Sequence, residues 1–139
     1  MMLPVLSHMN YGPMRMLLYR TAPTLTVMSD LLPDKLAGVY IRSSDTIIID
    51  RRISYTRKRC TLVHELVHRH YGDDTSQGPC SQYAEQRCRR ETARLLIDED
   101  DYKRAEAMYD GDIWLIAEEL DVTVQVVEDY QMWLRNRAA

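Results

Sequence analysis

His64-Glu65-Leu66-Val67-His68 places two imidazoles four positions apart with a carboxylate next to the first. In an α-helix, residues four apart share a face, so His64 and His68 can aim ring nitrogens at one metal ion. Glu65 is rotated about 100° from His64, a poor position for a third ligand to the same ion. It is better placed to take a proton from water that the metal activates. A plain surface helix could carry the same residues, but the chain has only four histidines in 139 residues, which makes the spacing an uncommon coincidence.

Two histidines hold zinc weakly, and a hydrolytic site needs a third protein ligand with one position left to water. No third histidine follows at useful spacing: His70 is two residues past His68 and faces elsewhere on the helix. The ligand is therefore expected from an acid on the next helix. Glu85 and Glu91 both lie about 60° from the centre of that helix's apolar stripe, and the helical wheel does not choose between them. Each has a plainer alternative, a flank carboxylate paired with Arg89, Arg90 or Arg94 at helical spacing.

These side chains need elements to hold them. Ser54 is an N-cap candidate, and Val63, Leu66, Val67 and His70 or Tyr71 recur at helical steps, so a helix from Ser54 to about Tyr71 carries the histidines. Gly72 to Pro79 is a loop by composition. A second helix from about Ser81 to Ile97 has Ala84, Cys88, Thr92, Leu95 and Leu96 as its apolar stripe. Upstream, Tyr11 to Arg20 reads as a short helix. Thr24 to Met28, Gly38 to Arg42 and Thr46 to Asp50 read as strands, the last two joined by Ser43-Ser44-Asp45 as a hairpin. The expected fold class is α+β, with a small antiparallel sheet packed on the active-site and ligand helices. Helices at about Asp100 to Met108, Asp112 to Leu120 and Thr123 to Leu134 complete it.

At 139 residues the chain is expected to be one domain, 1–139, with a core large enough to fold without a metal staple. Residues 99–139 form a helical extension within it. The composition, 45% hydrophobic and 28% charged, excludes a disordered chain. Cys60, Cys80 and Cys88 are odd in number and lack CxxC spacing, so neither a disulfide framework nor a thiolate zinc knuckle is expected; a reducing cytoplasm fits. His8, Asn10, Arg15 and Arg20 interrupt the apolar N-terminal residues, so no signal segment or membrane span is expected. Met1, Met2, Met9, Met14 and Met16 are all candidate starts.

Net charge is −3 but unevenly spread. Arg51, Arg52, Arg57, Lys58 and Arg59 lead into the histidine helix, where they are either a solvated face or a means of steering an acidic partner. Ile116 to Thr123 with Val126, Val127 and Tyr130 resembles two helices of a helix-turn-helix. Its Glu118, Glu119, Asp121, Glu128 and Asp129 would repel phosphates, so packing or protein docking is expected rather than direct nucleic-acid binding. Trp114, Trp133 and Leu134 are expected to bury against the domain or line an interface.

The run Thr46-Ile-Ile-Ile-Asp50, then Arg57-Lys-Arg-Cys-Thr-Leu-Val-His-Glu-Leu-Val-His68, then Glu85 with Thr92-Ala93 and Leu95-Leu96-Ile97, resembles the ImmA/IrrE family of metallopeptidases, in particular small members from actinobacteria and their phages. The similarity spans roughly Gly38 to Asp98. It implies a zincin-like domain in which His64 and His68 bind Zn2+, Glu85 is the third ligand in gluzincin manner, and Glu65 is the catalytic acid–base. Arg89, where many members carry Asn or Asp, and Asp98, where they often end Leu-Leu-Met-Pro, depart from the pattern. The resemblance further implies a cytoplasmic endopeptidase that cleaves one regulatory protein, commonly a helix-turn-helix repressor of a phage or mobile element. The alternative is a zinc-binding antirepressor that sequesters its partner without cutting it.

Overall fold

A computed structural model describes residues 6–138; Met1 and Met2, two of the candidate starts, lie outside the described residues. The elements run α1 (Tyr11–Thr21), β1 (Thr26–Asp30), β2 (Gly38–Ile41), β3 (Thr46–Asp50), α2 (Tyr55–Tyr71), α3 (Gln82–Leu96), α4 (Glu99–Met108), α5 (Ile113–Leu120) and α6 (Val124–Ala138). The fold is α+β, and every expected helix and strand is present within a few residues of its expected bounds.

The strand order is β1-β3-β2. β2 and β3 form the expected antiparallel hairpin, turning through Arg42–Ser44 and a left-handed Asp45 at φ 48°. β1, however, pairs parallel to β3, so the sheet is mixed rather than wholly antiparallel. The cause lies in which strand takes the centre. Ile47 and Ile49 are fully buried, and β3 sits between two flanks. Strands running up, down and up with the third in the middle make the first and third parallel. The crossing from β1 to β2 is fixed at the end of β3: Asp50 accepts hydrogen bonds from Leu32 N (3.0 Å) and Arg52 Nε (3.0 Å), and Asp50 N donates to Ala37 O (2.8 Å).

Two local features set α2 against this sheet. A Cβ on Gly38 would stand 2.6 Å from Thr61 Cγ2, so glycine is what lets β2 pass this close beneath the helix. Asp45 accepts from both Arg69 Nε (2.7 Å) and Nη2 (3.0 Å), from Tyr40 OH (2.9 Å) and from Thr24 Oγ1 (2.9 Å), tying the hairpin turn to the end of α2. That planar, bidentate pairing holds the Asp45 carboxyl at about 2, below its ordinary value, with Arg69 the largest cause.

Leu62, Val63 and Leu66 of α2 join Ile47 and Ile49, and Leu96, Ile116, Val127 and Tyr130 carry the same core into the C-terminal helices. Arg59, almost wholly buried, donates to the carbonyls of Met9 (2.6 Å), Ser7 (2.7 Å) and Asp121 (2.6 Å), lashing α2 to the N-terminal segment and to the turn between α5 and α6. Trp133 lies between Arg94 and Arg137, 4.7 and 4.5 Å from its ring centre, whereas Trp114 is 71% exposed and does not bury. No helix is long and apolar enough to cross a membrane among the described residues.

Candidate metal centre

α2 begins where Ser54 Oγ accepts from Arg57 N (3.2 Å) and ends where Gly72, at φ 75°, donates to the Arg69 carbonyl (3.0 Å). Between these caps the pentad sits in regular helix, with the His64 and His68 rings edge to face at 4.9 Å. α3 starts at its own cap, Ser81 Oγ accepting from Ala84 N (3.1 Å), which places Glu85 in the first turn opposite the histidines.

Glu85 reaches both rings: Oε1 lies 2.9 Å from His64 Nε2 and Oε2 lies 3.2 Å from His68 Nε2. Glu91, the other acid left open by the wheel, is instead a flank carboxylate 3.8 Å from Arg90 and 3.9 Å from Arg94. His68 is 1% exposed, and its buried Nε2, 3.2 Å from a Glu85 oxygen, has no hydrogen-bond partner of good geometry among the described residues. An orphaned imidazole nitrogen on a buried ring, facing a second imidazole and a carboxylate, is a donor set that fits a divalent cation taking nitrogen and oxygen ligands. The two histidines hold the Glu85 carboxyl well below its ordinary range. Burial alone would lower the pKa of His68, but the carboxylates of Glu85 and Asp73 reverse this and raise it.

Glu65 stands beside this cluster, 4% exposed. Desolvation raises its pKa, opposed by His64, His68 and a hydrogen bond from Thr75. Thr75 Oγ1 accepts from Tyr40 N (2.7 Å), so its single proton goes to Glu65 Oε2 (3.1 Å), leaving Oε1 unengaged by it. The loop after α2 also supports the other side of the cluster. Asp73 N donates to the His68 carbonyl (2.9 Å), Asp73 Oδ2 meets His68 Nδ1 (3.1 Å), and Arg87 Nη2 donates to that same oxygen (3.2 Å) while its guanidinium stacks 3.7 Å over Tyr71. A carboxylate on Nδ1 fixes the ring's orientation and turns Nε2 toward Glu85.

Composition marks residues 72–79 only as a loop. The signal in it was Gly72, the left-handed end of α2, followed at once by an acid able to fold back on His68. Cys88 is buried in the apolar stripe of α3, as its spacing predicts. Its Sγ nevertheless comes within 4.8 Å of a nitrogen on each histidine, while donating to the His64 carbonyl at 3.1 Å. Burial pushes that thiol far above its ordinary pKa, so Glu85 is the better anionic donor. Tyr55 and Tyr83 are exposed, Tyr71 stacks on Arg87, and the exposed His70 lies against the Tyr71 ring.

A groove of about 910 Å³ runs over His64, Glu65, His68 and Glu85. One wall is the Pro33–Gly38 loop. The other includes Arg89 and the start of α6, through Thr123, Gln125, Val126 and Asp129. Arg89 is bound by Asp129 through Nη2 (2.8 Å) and Nε (3.2 Å), which seats the helix-turn-helix-like pair as a groove wall.

A helix carrying two histidines and a buried acid, with a carboxylate supplied by the next helix, has the donors of a metal-dependent hydrolase. The chain belongs to the peptidase M78 family, whose model, described as the IrrE N-terminal-like domain, matches residues 22–129. The family defines a metallopeptidase-like domain and implies a metal. No curated protein and no solved structure significantly matches the chain.

Proposed function

We propose that this chain is a zinc-dependent endopeptidase that hydrolyses a peptide bond in one regulatory protein, a helix-turn-helix repressor of a phage or mobile element, in the bacterial cytoplasm. The observation that carries the reading is Glu85 within 2.9 and 3.2 Å of the two imidazoles beside a buried Glu65, in a peptidase family. His64, His68 and Glu85 would hold the ion. Bound zinc supplies Lewis acidity, which makes water acidic enough to ionise near neutral pH and polarises a carbonyl. Glu65 accepts the proton of the attacking water and delivers it to the departing amine, a role its desolvated carboxylate suits because burial raises its proton affinity. Thr75 keeps one Glu65 oxygen occupied, so the proton travels on the other. The groove, about 910 Å³ in volume, has room for an extended peptide segment across the pentad.

One observation favours a second reading. With Cys88 Sγ within 4.8 Å of both histidines, a His-His-Glu-Cys set would close the ion to water, and the protein would act as an antirepressor by sequestration. Incubating zinc-loaded protein with the transcriptional regulator encoded beside it separates the two. Fragments that disappear with chelator and with Glu65→Gln support the peptidase. An intact regulator held in a stable stoichiometric complex supports the binder.

A further inference from the structure

The five basic residues that lead into α2 have different fates. Arg52 is paired with Asp50 at 2.6 Å, Arg59 is buried among backbone carbonyls, and Lys58 lies 4.8 Å over the Tyr55 ring. Arg51 and Arg57 are exposed and make no ion pair with the described residues, and of these only Arg57 lines the groove. Arg57, Thr61, His64 and His68 fall at i, i+4, i+7 and i+11, a single stripe along α2 that faces the groove over its whole length. The groove's other guanidinium, on Arg89, is neutralised by Asp129. Asp34 on the facing loop lines the same groove without pairing with Arg57.

We propose that Arg57 is a specificity-determining residue that binds an acidic side chain of the substrate segment lying in this groove. It lies seven positions before His64 on the helix, about 10 Å of rise. An extended peptide advances about 3.3 Å per residue, which puts the recognised Asp or Glu about three positions from the bond that is cut. The proposal rests on the peptidase reading for the position of that bond, whereas the charge preference itself rests only on the groove. A solvent-facing ion pair of this kind favours acid over amide by about twofold to fivefold, mostly in KM, and weakens with salt.

The test uses the full chain loaded with zinc and a library of synthetic dodecapeptides varied at every position, read by mass spectrometry. Wild type is expected to prefer Asp and Glu over Gln about three positions from the cut. Arg57→Gln should abolish the preference, and Arg57→Glu should reverse it toward Lys, with kcat at the best sequence retained. An unchanged cleavage pattern in Arg57→Glu overturns the proposal. A second arm measures retention of the uncut library by immobilised, zinc-loaded Glu65→Gln protein and does not depend on cleavage. Retention of acidic peptides that is lost when Arg57→Glu is added supports the proposal, and equal retention overturns it. Absence of chelator-sensitive cleavage by wild type, together with charge-dependent retention, would refute the peptidase reading while leaving Arg57 as the recognition group.

Discussion

Asp73 is the most informative residue to perturb, because it touches the proposed zinc site only through another side chain. Its Oδ2 meets His68 Nδ1 at 3.1 Å and accepts from Arg87 at 3.2 Å, and it does not belong to the His64, His68 and Glu85 set. Asp73→Ala removes the carboxylate that orients the ring and raises its basicity. Losing such a partner typically weakens metal binding by about 10–100-fold, equivalent to about 1.4–2.7 kcal/mol. Asp73→Asn keeps an oxygen able to face Nδ1 but loses the charge, so it should fall near the lower end. The measurement is zinc competition against a chromophoric chelator at fixed pH, with thermal melting of the metal-free proteins as a control for folding. Ala and Asn variants that bind zinc as tightly as wild type would refute the reasoning that His68 binds through Nε2 with Asp73 behind it.

Glu65→Gln should retain zinc affinity and circular dichroism while losing at least about a hundredfold in cleavage, the usual contribution of a general base; cleavage of the regulator at the wild-type rate would remove Glu65 from the chemistry. Gly38→Ala should destabilise by about 1–3 kcal/mol, because its Cβ would meet Thr61 Cγ2 at 2.6 Å, and Thr61→Ser should recover much of the loss in the melting temperature of the double variant. Asp45→Asn keeps a residue tolerant of left-handed backbone but loses the charged pairing with Arg69. Because folding depresses the Asp45 pKa from 3.8 to about 2, its stabilisation is fully present above pH 3.8 and is lost as pH falls through about 2. Wild type should therefore exceed the Asn variant by about 1–2 kcal/mol at pH 6 in urea titrations, and the two should converge near pH 2.

Much of this architecture was legible because periodicity is local. Ser54, Gly72 and Ser81 mark helix ends through chemistry visible in the neighbouring residues, and the i, i+4 spacing of His64 and His68 fixes their shared face. Parallel pairing of β1 was not legible, since alternation within a strand says nothing about which strand takes the centre of the sheet. The choice of Glu85 over Glu91 could not come from the wheel of α3, because both flank the same stripe. It depends on where α3 crosses α2, and there Glu85 faces the histidines while Glu91 faces Arg90 and Arg94. Asp73 and Thr75 were hidden for a similar reason. Their partners, Arg87 fourteen residues on and Tyr40 thirty-five residues back, meet them only after the chain has closed.

The arrangement of His64, His68 and Glu85 around one ion is tested most directly by anomalous diffraction at the zinc edge from crystals of the zinc-loaded protein. A peak about 2.0–2.1 Å from Nε2 of both histidines and about 2.0–2.2 Å from a Glu85 oxygen, with water completing four-coordination, is the expected result. A peak about 2.3 Å from Cys88 or Cys80 sulfur, or one remote from Glu85, would contradict it.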